Sequence, residues 1–336
     1  MEQRPTLPQV AALAGVSLSS ASRALNGKGA SQALTAVVAK AAEQLGYQAD
    51  VTGRSLRTRR SYEVAVMVPD IGNPVYVQLM QAVHSVVAQA GYQVVVASTG
   101  DSAASTANEV RSLSSGFVDG IVLAPLWVDD DLLAALASTR VPLVIVGNVD
   151  GSPDLNSVWV DSAAGISLAV DHLVERGRRR LAFLNGPLQS LAGQRRQSGF
   201  EKAMARLGMT AAGTQTAADF NMRAGAEACR QLLDTMRGEA PDALVAANDL
   251  LAISCIQVLR ERGLDVPGDV AVTGMDNTEF GSVIAPSLTS VDLKAGERGQ
   301  QAAQLLLDRL TGDDSPSEHR LVLPELVVRD STGGPR

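Results

Sequence analysis

The sequence predicts two α/β lobes built on parallel sheets, preceded by a small all-α head that contains a helix-turn-helix. Three observations predict it. From Tyr62 onward, buried-strand runs alternate with helical stretches, the pattern of parallel sheets covered by helices. The pattern restarts near residue 162 and holds too many strands for one small sheet, so two similar lobes are expected. Residues 1–60 differ in charge: they carry eight basic and three acidic side chains, a net of +5, while the other 276 residues carry 21 basic and 33 acidic, a net of −12. A basic head on an acidic body points to a polyanionic partner for the head alone.

The composition suits this reading. With 336 residues, 46% apolar and 19% charged, the chain has core enough for about two domains and an extra module. No apolar run of membrane-spanning length is free of charges and helix breakers. Met1-Glu2-Gln3-Arg4-Pro5 opens no apolar segment, so no secretory signal is expected. The two cysteines, Cys229 and Cys255, are too far apart for a CxxC motif and are expected as reduced thiols in a cytoplasmic protein.

In the head, Thr6 and Gln9 have capping-box spacing, and Pro8 is tolerated in a first helical turn. Leu7, Val10, Ala11 and Ala14 share one face of that helix. Gly15-Val16-Ser17 interrupts it, and Ser17 is placed to cap a second helix from Leu18 to about Leu25, which Asn26-Gly27 stops. Two short helices joined by a Gly-containing turn form a helix-turn-helix. Ser31 caps a third helix with Leu34, Val37, Val38, Ala41 and Leu45 on its apolar face, and Gly46 ends it. The stretch that follows carries Arg54, Arg57, Arg59 and Arg60 and has no core to pack on. A flexible linker and a segment that orders only on DNA are both open readings.

Thr6-Leu7-x-x-Val10-Ala11-x-x-Ala14-Gly15-Val16-Ser17, Ser22-Arg23-Ala24-Leu25-Asn26-Gly27, Leu45-Gly46-Tyr47 and Arg54-Ser55-Leu56-Arg57 resemble the lactose repressor (LacI/GalR) family of bacterial transcription regulators. The resemblance continues in order through Val68-Pro69-Asp70-Ile71-x-Asn73-Pro74, Val118-Asp119-Gly120-Ile121, Gly199-Phe200, Ala247-Asn248-Asp249 and Pro286-x-Leu288-Thr289. It implies a DNA-binding domain at 1–48, a hinge segment at 49–61 and a two-lobed effector-binding and dimerisation domain at 62–330, folded like periplasmic sugar-binding proteins. Lobe one is expected at about 62–161 and 292–320, lobe two at about 162–291 and 321–330. The resemblance places the second helix in the major groove. Leu18, Ser19 and Arg23 then read bases, Arg23 having the fork that matches a guanine. Ser17, Ser20 and Ser22 hold phosphates. Arg54, Leu56 and Arg57 sit in the minor groove, Leu56 as a wedge. The sequence departs from the family at three places: Ala49-Asp50 replaces a Pro-Asn, Gly53 replaces an alanine, and Leu34-Thr35 replaces a Thr-Arg pair.

In the body, strands are expected at 63–68, 93–98, 119–123, 141–146, 180–184, 243–247 and 269–273, with helices at 75–90, 162–176, 196–207, 223–234 and 250–262. Ligands of open α/β sheets bind beyond the carboxyl ends of the strands. The residues found there are Asp70 and Asn73, Ala124 and Trp127, Gly147 and Asn148, Asn185, Asn248 and Asp249, and Asp276 and Asn277. Carboxylates and amides facing one cleft suit a ligand rich in hydroxyls. Asp249 is expected to cap a helix, and Asp276, with no helical run directly behind it, to meet the ligand. By the resemblance, Arg196 and Phe220 join the site, and Gly147 stands where many family members have a carboxylate. Arg195 and Arg196, adjacent on a helix, are not expected to face the cleft together. The expected effector set is Asp70, Asn73, Arg196, Phe220, Asn248 and Asp276, the expected effector is a sugar, and no metal or cofactor is expected.

His84, His172 and His319 are scattered, and neither a phosphate loop nor a nucleophile elbow is present. An enzyme is therefore not expected, and a secreted solute-binding protein does not explain the head. The expected partner is double-stranded operator DNA with an inverted repeat, read by a homodimer. Met80, Val83 and Val87 are expected to form a second apolar face on helix 75–90 for the mate, and the absence of a heptad tail argues against a tetramer.

Overall fold

A computed structural model describes residues 5–25, 29–47, 60–100, 102–152, 154–236 and 240–334. The chain divides into two compact units between Arg60 and Ser61. The first unit contains α1 (Leu7–Leu13), α2 (Leu18–Leu25) and α3 (Gln32–Leu45). The expected caps are in place. Thr6 N donates to Gln9 Oε1 at 2.8 Å, Ser20 N to Ser17 Oγ at 3.1 Å and Leu34 N to Ser31 Oγ at 3.3 Å. Gly46 closes α3 in the left-handed region at φ 63°, which a side chain would disfavour. The core of the unit is Val10, Ala11, Ala21, Ala24, Val38, Ala41 and Ala42. Small residues let three short helices approach closely. Val37, expected inside, is 51% exposed, because the buried face of α3 runs through Val38, Ala41 and Ala42.

The second unit begins with β1 (Glu63–Val68), α4 (Pro74–Val87), β2 (Gln93–Ser98), α5 (Ala103–Leu113), β3 (Gly120–Leu123), α6 (Asp130–Ala137), β4 (Leu143–Val146) and β5 (Asn156–Val160). A second lobe follows with α7 (Ser162–Glu175), β6 (Leu181–Asn185), α8 (Leu191–Arg206), β7 (Gly213–Thr216), α9 (Met222–Thr235), β8 (Ala243–Ala246), α10 (Asp249–Glu261), β9 (Ala271–Met275), α11 (Glu279–Val283) and β10 (Thr289–Asp292). The chain returns to the first lobe for α12 (Ala295–Leu310) and β11 (His319–Val322), then to the second for β12 (Glu325–Val327).

The first sheet has the order β11-β5-β4-β3-β1-β2 and its pairings are parallel. The second has the order β12-β10-β9-β8-β6-β7, parallel except for the antiparallel β10–β12 pair. Central strands such as β3, β4 and β8 are buried on both faces, so they consist of continuous apolar runs. Because β11 extends to Val322, the final crossing falls at Leu323-Pro324 rather than after residue 320.

Several expectations are corrected. β5 and β7 were not among the expected strands. β5 starts with polar Asn156 and Ser157, buried because Asn156 Oδ1 accepts from Glu318 N at 2.8 Å and Ser157 Oγ meets His319 Nδ1 at 2.9 Å. β7 is an edge strand, Gly-Thr-Gln-Thr, with alternate residues exposed and no apolar run to mark it. α8 begins five residues earlier than expected, at Leu191, where Ser190 Oγ accepts from Gly193 N at 3.0 Å. Val83 and Val87 lie in the core of the first lobe and Met80 packs against that core, so α4 has no second apolar face made of these residues. His172, whose helix position pointed to an interface or the surface, is buried with its Nε2 2.9 Å from Thr332 Oγ1. Among the described residues no helix is long and apolar enough to cross a membrane.

Candidate functional site

In the head unit α2 turns Ala21 and Ala24 inward and leaves Ser17, Leu18, Ser19 and Arg23 exposed. Ser19 and Arg23 stand four residues apart, on one helix face. Leu18 is 51% exposed, although solvent gives such a side chain nothing. Ser17 Oγ lies 2.9 Å from Ser19 Oγ and 2.8 Å from Ser20 Oγ, so three hydroxyls cluster at the helix N-terminus, where open N–H groups favour an anion. Ser22 is half-buried. Arg54, Leu56 and Arg57 lie outside the described residues.

In the body a cleft runs between the lobes, with one cavity of about 630 Å³ and a smaller recess of about 120 Å³. Val75, Tyr76, Leu126, Ala192, Arg196 and Asp276 line both. The first lobe supplies Asp70, Asn73 and Trp127 to the larger space. Asp70 Oδ1 accepts from Gly72 N at 2.8 Å, and Asn73 Oδ1 caps α4 by accepting from Val75 N at 3.2 Å. Both side chains are thereby held where the chain leaves β1.

The second lobe supplies Arg196, Phe220, Asn248 and Asp276. Arg196 is 8% exposed, its guanidinium carbon sits 5.3 Å from the centroid of the Phe220 ring, and its Nη2 is 3.8 Å from Asp276 Oδ1. That separation is an ion pair without a direct hydrogen bond. Arg196 Nε is buried and has no acceptor among the described residues. Burial pushes the Asp276 carboxyl up to about 7, against the attraction of Arg196, with repulsion from Asp249 adding to the rise. Asp276 has φ 110° and Asn277 φ 50°, strained values held in part by the bond from Asp276 N to Val291 O at 2.8 Å. The Phe220 ring lies against the backbone at Gly186: a Cβ there would come within 2.2 Å of it.

Two bonds from α8 cross the cleft. Leu191 N donates to Leu126 O at 3.0 Å and Arg195 Nη2 to Asn148 O at 2.6 Å. Tyr76, whose hydroxyl burial pushes up to about 12, and Arg298 on α12 complete the recess. Among the described residues no group of three or more His, Cys, Asp or Glu is placed to hold a metal ion.

Residues 6–50 match the family described as bacterial regulatory proteins, lacI family, and residues 170–332 match the periplasmic binding protein-like domain. The HTH-type transcriptional regulator CelR of Thermobifida fusca is 35% identical over 338 residues, 98% of each chain. The chain belongs to the LacI family. The ribose operon repressor of Escherichia coli strain K12 is 30% identical over 97% of this chain and 99% of its own. Among solved structures, the lac repressor dimer bound to operator and the anti-inducer ONPF superposes with a TM-score of 0.86 at 28% identity, over 98% of this chain and 99% of that one. The CelR–cellobiose complex gives 0.73 at 34% identity, over 98% and 100%.

This LacI-family regulator thus joins a DNA-binding head to a periplasmic-binding-like body. The six side chains expected around an effector all line the larger cavity, but they are not equivalent. Asn248 caps α10 by accepting from Leu251 N at 2.9 Å and donates to Phe220 O at 2.9 Å, so most of its amide is engaged in holding the wall together. Asp249 is not the cap. As the first residue of α10 it accepts from Thr278 N, Thr278 Oγ1 and Ser290 Oγ, tying β10 and α11 together. Burial pushes its carboxyl up to about 6, and those hydrogen bonds oppose the rise. Asn277 turns to Arg329 and Asp292, and Asn185 to Gly186 N and Gly193 O, so neither lines the cleft. Arg195 and Arg196 both line the recess, contrary to expectation, because Arg195 reaches sideways to the first lobe. Tyr76 and Arg298 were missed. The Asn73–Tyr76 spacing placed Tyr76 on the first turn of a helix facing the cleft, but nothing local marks Arg298.

Proposed function

We propose that this regulator is a repressor whose operator affinity is set by a small polyhydroxyl ligand, a sugar, held between the lobes. The observation that carries the reading is the meeting of Arg196, Asp276 and Phe220 on one wall of the 630 Å³ cavity, opposite Asp70 and Asn73. A sugar offers a ring face to Phe220 and hydroxyls that donate to Asp276 and accept from Arg196. The cellobiose complex of CelR and the name of the ribose operon repressor support that ligand class.

The regulator acts in the cytoplasm, without a catalytic step, as a homodimer on an inverted repeat, as the dimeric operator complex of the lac repressor supports. Ile71, Val77 and Val96 on the first lobe, with Phe280 and Val283 on the second, leave apolar surface for such pairing. Leu18, Ser19 and Arg23 read bases, Ser17, Ser20 and Ser22 contact phosphates, and Arg54, Leu56 and Arg57 enter the minor groove. The chain enters the first lobe at Ser61 and Tyr62, whose N–H groups donate to the Asp119 carboxylate at 2.7 and 2.9 Å. A ligand that fixes the lobe angle therefore acts on the lobe to which the hinge segment is tied. Coupling of this kind is reciprocal: operator DNA changes ligand affinity by the same factor as ligand changes operator affinity. Calorimetric titration of the best-binding sugar, with and without operator, tests it. Equal affinities would sink the coupling, and undiminished binding to Asp276→Ala would sink the site.

A further inference from the structure

We propose that the effector carries an anionic group, a carboxylate or a phosphate monoester, seated in the 120 Å³ recess among Arg195, Arg196 and Arg298. The proposal rests on the reading of the larger cavity as a sugar site and names the feature that distinguishes the sugar.

Three guanidinium groups line the recess and Asp276 is its one carboxylate. Among the described residues none of the three has a carboxylate at hydrogen-bond range. Arg196 reaches Asp276 only at 3.8 Å, and its buried Nε has no acceptor among those residues. Arg195 donates to a backbone carbonyl, Asn148 O. Arg298 donates from Nε to Leu293 O at 2.8 Å, and among the described residues it has no carboxylate at ion-pair distance. Neighbouring acids do not make up the difference. Asp292 is engaged by Lys294 at 3.3 Å and by Asn277, while Asp70 and Asp219 are exposed in the outer cavity, where water screens them. The rest of the lining is mostly apolar, Val75, Leu79, Val146 and Leu293 among it, with the uncharged Asn148 and Ser162, and position 147 is glycine, with no side chain to offer.

Three cations around a single carboxylate, itself pushed toward its neutral form by burial, are costly to keep. An oxyanion in the recess accepts charge-assisted hydrogen bonds from guanidinium forks, whose planar geometry matches carboxylate and phosphate alike. The Tyr76 hydroxyl, held protonated by its burial, adds a neutral donor. The sugar ring then extends into the larger cavity toward Phe220, through the side chains the two spaces share.

The test is calorimetric titration of the full chain with D-glucose, D-glucuronate and D-glucose 6-phosphate, and with D-galactose, D-galacturonate and D-galactose 6-phosphate. Inorganic phosphate is the bare anion, and ionic strength is held constant. At least one acidic sugar is expected to bind tenfold or more tighter than its neutral parent. The preference should fall to within about twofold in Arg298→Met and return in Arg298→Lys. Arg195→Gln, altering a side chain nearer the surface, should reduce it independently. A winning uronate identifies the group as a carboxylate, and a winning phosphate ester identifies a phosphate. Neutral sugars binding as tightly as their acidic partners overturn the proposal and leave the sugar reading standing. If no sugar binds, the sugar reading fails, and phosphate alone decides the recess. Stabilisation of the wild type by phosphate that is lost in Arg298→Met supports an anion site, and no stabilisation overturns it.

Discussion

Replacing Asp276 with asparagine is expected to stabilise the ligand-free protein at neutral pH while abolishing effector binding. The carboxyl is 4% exposed, and burial raises it from 3.8 to about 7. The unfolded chain therefore ionises Asp276 some three pH units before the folded chain does. Between these values the folded state holds the extra proton, so stability falls as pH rises through the window and is fully lost above it. At about 1.4 kcal/mol per unit the total is roughly 4 kcal/mol, of which about 2–3 kcal/mol develops between pH 5 and pH 8. Asparagine resembles the protonated form and removes the penalty. For a chain of this size 1 kcal/mol corresponds to roughly 2 °C. The midpoint of the variant should thus gain about 5 °C on the wild type between pH 5 and pH 8. Thermal unfolding of both proteins without ligand at four pH values reads the difference, and subtracting one profile from the other removes the parallel contribution of Asp249. Parallel profiles would refute the argument, because they would mean that Asp276 is ionised in the fold at no cost.

Other perturbations follow from close contacts. Asn248→Ala removes the cap of α10 and the bond to Phe220 O together, and should cost about 2–4 kcal/mol in chemical denaturation while loosening the ring wall. Gly199→Ala would set a Cβ 2.6 Å from Ala163 O, so α7 and α8 must part, at about 1–3 kcal/mol read from the urea midpoint. Arg23→Ala should lose about 1–3 kcal/mol per half-site on operator with little change on random DNA, compared by fluorescence anisotropy. Leu56→Ala should likewise weaken operator binding far more than random binding, and equal losses on both would reduce the residue to a simple contact.

The sequence by itself determined the alternation of strands and helices apart from β5 and β7, the division into a basic head and an acidic two-lobed body, and the family. These features rest on local signals. Thr6 and Gln9, Ser17, Ser31 and Gly46 act within one helical turn, and strands buried on both faces must be apolar throughout. It also located Asp70, Asn73, Asn248 and Asp276, because parallel sheets bring their strand ends to one edge. Tertiary structure decided what each of those side chains does. Asn248 and Asp249 are adjacent in the chain, yet one supports the ring wall and the other clamps β10, since the partners that occupy them are 28 to 41 residues away. β5 was hidden because its polar residues are satisfied by a strand that arrives 162 residues later. Arg298 was hidden for the same reason. Its place in the recess depends on α12 returning to pack on α4 after the chain has built the whole second lobe. A sequence displays the hydrogen bonds and periodicities that close within a few residues, whereas a charge gathered from two separated segments exists only once the chain has crossed between lobes.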